Sequence, residues 1–375
     1  MKLKVLMIVD HIIPTTGPHR NVLGTIQALS RRDDIELSVL CERHDLKAEL
    51  LLKIHLQLGF VPGNFRKIFS NLWLSFKLIR SIDVIYVPSG LKSFLYAWLL
   101  KGRKPLVAGP NVTGLPYLMN MYNPSPLMTT WMANAWIEMS ELRVKECLSG
   151  GTKRSQIHLV PHSVDSNFFR PDRKNSGLWQ KYNIPSTAEV ILFTGRIQLG
   201  RKGIPELIEA FKIIRQKRPN AVLVFIGRAQ MDVKDYESLP GVYFLGPKSG
   251  DDFADHLASA DLFMAASRYE TFWFCPIEAM CSGLPVVVTD AGAVPEMIPQ
   301  NGIQGVRVPV LTENFKYLPE ATKDLAEAAL SLLRDNKKRQ QMGIEARAYV
   351  SREFSEEKLA DRLVNVFKSV VGLDF

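Results

Sequence analysis

Ser267–Arg268–Tyr269–Glu270–Thr271–Phe272–Trp273–Phe274–Cys275–Pro276–Ile277–Glu278–Ala279–Met280 is the stretch on which the reading of this chain turns. The apolar run Leu262–Ala266 stops at Ser267, as a buried strand does on leaving its sheet. A short loop follows, and Pro276 takes the first helical position with Cys275 before it. This places Glu270 on the loop and Glu278 in the first helical turn, two carboxylates on one strand-loop-helix edge. Strand C-termini and helix N-termini are where open α/β sheets take ligands and where backbone N–H groups receive phosphate. Each residue also has a plain reading, Glu278 as a helix-start acid favoured by the macrodipole and Glu270 as an exposed loop carboxylate. Found together on one edge, they point to a site.

Outward from this stretch, strand and helix patterns alternate: Val190–Thr194, Pro205–Gln216, Ala221–Ile226, Val242–Leu245, Asp251–Ala258, Leu262–Ala266. That is the signature of a parallel, doubly wound sheet. Its first strand leaves through Thr194–Gly195–Arg196 and enters a helix after Gly200–Arg201–Lys202–Gly203. A loop presenting Arg196 and Lys202 at a helix N-terminus suits a diphosphate, since Arg forks onto two oxygens and Lys adds a compact charge. A solvated basic loop is the plain alternative. Beyond the sheet, Asp324–Leu333 and Lys337–Phe367 read as amphipathic helices.

The N-terminal half opens with a buried-strand run, Lys4–Val9, and helical spacing over Asn21–Ser30. Between them lies the loop Pro14–Thr15–Thr16–Gly17–Pro18–His19–Arg20, where Gly17 lets backbone approach a ligand. No Gly-x-Gly-x-x-Gly follows this strand, which counts against a nicotinamide or flavin enzyme. Glu36–Cys41, Val84–Pro88 and Pro105–Ala108 read as further strands, and Asn111 stands at the end of the last. Asn hydrogen-bonds a hydroxyl but exchanges no proton at neutral pH. The polar Asp172–Ala188 segment reads as an interdomain linker.

At 375 residues the chain is long enough for two domains, and 46% apolar and 23% charged residues are those of a globular protein. Cys41, Cys147, Cys275 and Cys281 are widely spaced, which favours a reducing cytoplasmic compartment over disulfides or a zinc site. Met1–Asp10 reads as a strand, not a signal peptide. Charge is uneven. Residues 1–185 hold 24 Lys and Arg against 13 Asp and Glu, a net of +11, while the remainder nets −2. The partner of the first half is therefore expected to be anionic. No nucleic-acid recognition motif is present, so anionic lipid or a phosphate-bearing acceptor fits better. Lys47–Arg80 mixes apolar residues with six cations and the single acid Glu49, the pattern of a basic amphipathic segment or of two ordinary covering helices. Pro105–Ile137 carries no charge, but its prolines and glycines break any spanning helix. Its Met and aromatic residues, among them Tyr117, Met128, Met132 and Trp136, suit either an apolar acceptor groove or a core.

The stretch from Glu270 to Glu278 resembles the Glu-x7-Glu motif of retaining GT-B glycosyltransferases (glycosyltransferase family 4, group 1 type), and the likeness continues through Ser282–Gly292 and Val294–Pro295–Glu296. It covers the C-terminal half closely and the N-terminal half loosely. The resemblance implies two Rossmann-like doubly wound domains facing a cleft. On that resemblance the chain would divide into an acceptor-side domain at 1–172, a linker at 173–188 and a nucleotide-sugar domain at 189–350. A C-terminal helix at 351–375 would return toward the first domain. It further implies retaining, hexosyltransferase-type transfer from a nucleoside diphosphate sugar to a hydroxyl. The basic charge and the uncharged Met-aromatic run of the first half fit an acceptor that is lipid-linked or a cell-surface glycan precursor. Arg196 and Lys202 would hold the pyrophosphate, Glu278 the ribose, and Glu270 the transferred sugar beside the backbone of Thr271, Phe272, Trp273 and Phe274. Gly17 would face the donor, with His19 and Asn111 on the acceptor side. Where the family usually has Gly the chain has Trp273, an indole able to stack on the sugar. Two relatives of the motif depart as well, Pro18 for a second glycine and Asn111 for a loop His. Ile157–Asp165 and Phe168–Pro171 resemble the family's closing strand and turn, with His162–Ser163 for its Asn-Gly. No Asp-x-Asp and no metal-ligand cluster occurs, so a metal-independent reaction without a cofactor is expected. The basic first half suits either a cytoplasmic enzyme peripheral at the inner face of the membrane or a soluble one whose basic face steers an anionic acceptor. A sugar-nucleotide epimerase or a non-catalytic nucleotide-sugar-binding protein are the alternatives on the same fold.

Overall fold

The computed structural model describes residues 2–12, 17–44, 55–58, 78–111, 132–310 and 320–373. Contacts divide the chain into two units, one of Met1–Ser163 with Glu356–Phe375, the other of Val164–Ser355.

The first unit is a seven-stranded parallel sheet in the order β3-β2-β1-β4-β5-β6-β7. Its elements are β1 (Leu3–Ile12), α1 (Gly17–Ser30), β2 (Ile35–His44), β3 (His55–Leu58), β4 (Val84–Ser89), α2 (Leu91–Leu100), β5 (Leu106–Asn111), β6 (Ala135–Glu138), α3 (Glu141–Ser149) and β7 (Ile157–Leu159). Strands covered on both faces read as near-continuous apolar runs, and Val5–Val9 of β1 shows why. Val5, Met7 and Val9 face one core with α1, whereas Leu6 and Ile8 face another with α2. Trp136 and Met132, expected from sequence as groove or core, are core: Trp136 in β6 is buried and its ring lies 5.6 Å from that of Phe94. Tyr117, Met128 and most of Lys47–Arg80 lie outside the described residues.

The second unit is a six-stranded parallel sheet, β10-β9-β8-β11-β12-β13, the doubly wound order in which β8 and β11 are central neighbours. It comprises β8 (Glu189–Thr194), α4 (Ile204–Lys217), β9 (Ala221–Ile226), α5 (Lys234–Glu237), β10 (Val242–Phe244), α6 (Gly250–Ser259), β11 (Leu262–Ala265), α7 (Phe274–Cys281), β12 (Val286–Thr289), α8 (Val294–Met297), β13 (Val306–Val308), α9 (Ala321–Arg334) and α10 (Asn336–Glu353). The segment read as a linker packs into this unit instead. Leu178, Trp179 and Ile184 are buried, and Trp179 Nε1 donates to Ser259 O at 2.9 Å.

The long helical pattern at the C-terminus is two helices. It breaks after α10, and α11 (Glu356–Val371) belongs to the first unit. Leu359, Leu363, Val364 and Phe367 recur at helical spacing and enter the core beneath α1, where the rings of Phe367 and Tyr86 stand 5.3 Å apart. Arg31 pairs with Glu356 and Arg32 with Asp361, tying the turn after α1 to α11. No helix among the described residues is long and apolar enough to cross a membrane. The fold class expected from sequence, two Rossmann-like parallel α/β units, is the one observed.

Candidate functional site

Two loops meet at the C-terminal edge of the second sheet, one after β8 and one after β11. The first must turn sharply to return into α4. Gly203 does this at φ +61°, and a Cβ there would stand 1.9 Å from Ala266 O, so only glycine fits against the end of β11. The loops are zipped by main chain: Arg268 N donates to Arg201 O at 2.8 Å. A third segment, after β12, supports the second loop from below. Ala293 N donates to Glu270 O at 2.8 Å, and Gly292, at φ +64°, lies so close that a Cβ would meet that oxygen at 2.2 Å. Thr289 Oγ1 donates to Ser267 O, completing the support.

Held this way, Glu270 is 2% exposed and accepts from two cations. Lys202 Nζ reaches Oε1 at 2.6 Å and Arg201 Nη2 reaches Oε2 at 2.7 Å. Arg201 also donates from Nε to Tyr269 O at 2.9 Å, so its planar fork binds both carboxylate and main chain of one loop. Lys202 is nearly as buried as Glu270, with 8% of its side chain exposed, and its ammonium lies 5.4 Å from the centre of the Trp273 ring. A buried ammonium costs several kcal/mol of hydration, on the order of what a good carboxylate contact and an aromatic face return. The group of three carries a net charge of +1, poised to receive an anion. Neighbouring charge is spoken for, since Arg268 pairs with Glu206 in the first turn of α4.

Of the residues singled out from sequence, Lys202 and Glu270 are brought into direct contact. Arg196 lies on the same loop as Lys202, exposed and with no ion pair among the described residues. Glu278 is 3% exposed on α7. The helix begins at Phe274, with Trp273 as its N-cap, so Pro276 is its third residue and Glu278 lies one turn in, not in the first turn. Trp273 is 2% exposed and its main-chain N–H donates to Met297 Sδ at 3.3 Å. The indole, read from the sequence as able to stack on a sugar, lies beneath Lys202. Thr271 and Phe274 are half-buried, and Phe272 is buried with its ring 5.1 Å from that of Phe274. Gly17 and His19 occupy the first turn of α1, not a loop, and Asn111 ends β5. These three belong to the first unit.

Sequence reasoning missed Arg201. It also missed two hydroxyls at this sheet edge, Thr194 Oγ1 and Ser267 Oγ, and the indole Nε1 of Trp273, all buried without a hydrogen-bond partner among the described residues. Proximity to Lys202 was the available signal for Arg201. The others had none, because Ser and Thr at strand ends are common in any sheet. Among the described residues no three His, Cys, Asp or Glu side chains are grouped as metal ligands are.

With this geometry in place, comparison with known proteins is informative. Residues 178–349 match the family model described as glycosyl transferases group 1, a segment inside the second unit and just under half of the chain. The chain is 31% identical over 204 residues to the sulfoquinovosyl transferase of Arabidopsis thaliana, covering 53% of this chain and 37% of that protein. It is 34% identical over 160 residues to the mannosylfructose-phosphate synthase of Agrobacterium fabrum, covering 38% of this chain and 35% of that one. It thus spans about a third of the length of each of these relatives. Among solved structures, the Anabaena protein HepE in complex with UDP and glucose superposes with a TM-score of 0.72 at 20% identity, over 98% of this chain and 100% of that one. That likeness is one of fold. The family match over residues 178–349 agrees with the resemblance read from the sequence.

Proposed function

We propose that the protein is a glycosyltransferase that moves a sugar from a nucleoside diphosphate sugar to a hydroxyl acceptor, with retention at the anomeric carbon and without a metal ion. The observation that carries this reading is the buried carboxylate of Glu270 held by Lys202 and Arg201 at the sheet edge where open α/β folds take ligands. An incoming diphosphate competes with Glu270 for Lys202. It brings more negative charge than a carboxylate and accepts charge-assisted hydrogen bonds from Lys202 and the free Arg196. Glu270, released from Lys202, then turns to the hydroxyls of the transferred sugar while Arg201 keeps its loop in place. As the sugar–phosphate bond breaks, negative charge grows on the diphosphate, and cations already fixed there stabilise the transition state more than the ground state. Glu278 accepts from the ribose. Binding of UDP and glucose by the fold neighbour HepE supports a nucleotide sugar as the donor.

The test is product analysis. The chain is incubated with UDP-, GDP- and ADP-sugars and a panel of hydroxyl acceptors in EDTA, and products are read by mass spectrometry and NMR. Transfer with retained configuration in EDTA is expected. Inverted product, or activity that returns only with Mg²⁺ or Mn²⁺, contradicts the mechanism. A rearranged sugar nucleotide without transfer would make it an epimerase.

A further inference from the structure

Helix α2 breaks the pattern of the other covering helices. One side does what the fold requires, with Phe94, Ala97 and Leu100 buried against β1, β4 and β5. The other side is also apolar. Leu91, Leu95 and Leu99 recur every fourth residue and are 39%, 41% and 72% exposed. Residues four apart on a helix lie in one row, so these leucines form a stripe facing outward. Such a stripe costs solubility and adds nothing to the core.

The charge around the stripe says what it fits. Lys92 lies beside its start, and Lys101 and Arg103 follow its end at the turn through Gly102. None of these three makes an ion pair among the described residues. Lys104 is occupied, donating to Ile82 O at 2.5 Å. Over residues 78–111 there are five Lys and Arg against the single acid Asp83. The Asp83 carboxylate is spent on Lys4 N at 2.8 Å. Asp10 of β1 accepts from Ser93 Oγ in the first turn of α2. One Lys beyond a helix C-terminus is accounted for by the macrodipole, but that does not explain an apolar row bordered by cations at both ends.

We propose that this face of α2 docks on an anionic membrane surface, with Leu95 and Leu99 entering at the headgroup level and Lys92, Lys101 and Arg103 resting on lipid phosphates. An apolar row framed by Lys and Arg is how interfacial helices bind. A second copy of the chain is a poorer occupant. Three partly exposed leucines fall far below the roughly 800 Å² per partner that a stable interface buries. In a two-fold dimer, moreover, the same cations face each other. Membrane docking gives the acceptor of the transfer reaction a surface to arrive on, and in that respect it rests on the function proposed above. It also falls on a helix distinct from the basic segment Lys47–Arg80.

Flotation of the full chain with phosphatidylcholine vesicles, with and without phosphatidylglycerol, tests it. The wild type should float with the anionic vesicles at low salt and less at high salt, because exposed charges are screened within about 10 Å at 0.1 M. Leu95→Glu/Leu99→Glu should lower partitioning more than about tenfold, having lost two inserting side chains. Lys101→Glu/Arg103→Glu should lower it at least about tenfold, since each cation near such a surface is worth roughly fivefold. All four positions are at least partly exposed, and circular dichroism confirms that the variants fold. A wild type that stays off anionic vesicles overturns the membrane assignment. Variants that float like the wild type overturn the assignment to α2. A dimer in analytical ultracentrifugation that Leu99→Glu dissolves names a second copy as the occupant and overturns it too. Thermal stabilisation by nucleotide sugars, measured on the same samples, reports separately on the proposed function.

Discussion

Replacing Lys202 by Met, and then repairing the damage at Glu270, separates what the buried pair does for stability from what it does for the donor. In Lys202→Met the carboxylate of Glu270 stays 2% exposed and keeps only Arg201, whose side chain is 41% exposed. Removing one member of a buried ion pair costs about 3–5 kcal/mol. Arg201 still contributes, but solvent screens it, so the low end, about 3 kcal/mol, is expected. For a unit of this size 1 kcal/mol corresponds to roughly 2–4 °C, which makes the fall in Tm about 6–12 °C. Adding Glu270→Gln removes the stranded charge. The double variant then lacks only net hydrogen-bond energy, about 1 kcal/mol, and Tm recovers to within about 2–4 °C of the wild type. Differential scanning calorimetry of the wild type, both single variants and the double variant gives the coupling, expected to be at least about 2 kcal/mol. Nucleotide-sugar affinity should not recover with the stability, since the cation is still missing. Additive effects, or a Lys202→Met protein as stable as the wild type, would refute the burial argument. Recovery of donor affinity in the double variant would refute the role given to Lys202.

Other outcomes follow from the same geometry. Gly203→Ala combines a left-handed φ with a backbone clash and should cost more than the roughly 1–3 kcal/mol of conformational strain alone. Gly200→Ala, at φ +75° with open space around it, should cost only that strain, and urea unfolding compares the two. Arg201→Ala should loosen the Glu270 loop and reduce kcat while leaving the affinity for free nucleoside diphosphate within about twofold, as steady-state kinetics and titration calorimetry can show. The first unit should show opposing pH effects. Burial lowers His162 to about 3, so its contribution is full above about pH 6.5 and is lost toward pH 3, at roughly 1.4 kcal/mol per unit. Burial raises Glu138 to about 7 against the pull of Arg143, so its contribution is full below about pH 4.5 and is lost as pH rises through 7. The two slopes cancel between about pH 4.5 and 6.5, and Glu138→Gln should expose the His162 slope there in urea titrations at stepped pH.

Much of this architecture was legible because parallel sheets covered on both faces write themselves as short apolar runs. Four of the six strands of the second unit, β8 to β11, were found within a residue, whereas β12 and β13 were not read as strands; the loops of Glu270 and Lys202 were both assigned to the donor, but their direct contact was not foreseen. What escaped was information that exists only after folding. Arg201 looks like any loop cation until Tyr269 O and the Glu270 carboxylate are brought to its fork. Trp273 looks like a platform for a ligand until folding buries its ring beneath Lys202. The charge-free run through Trp136 is as apolar as a groove and as apolar as a core, and periodicity does not separate the two. The polar look of 173–188 hid three anchors, Leu178, Trp179 and Ile184. Periodicity alone ran through the break before Glu356, which the resemblance had set at 351 and which the acidic first turn of α11 marks.

The central claim is that this site holds a nucleoside diphosphate sugar, with Glu278 on the nucleoside and Glu270 on the sugar. Titration calorimetry of the free nucleoside diphosphate and of its sugar against Glu278→Ala and Glu270→Ala, in EDTA, tests it most directly. The expected result is that Glu278→Ala weakens both ligands by about tenfold or more. Glu270→Ala should not weaken the free diphosphate, which then has no competitor for Lys202, while costing affinity for the sugar and abolishing transfer. Equal losses of diphosphate affinity in the two variants, or no binding of any UDP, GDP or ADP ligand to the wild type, would contradict it.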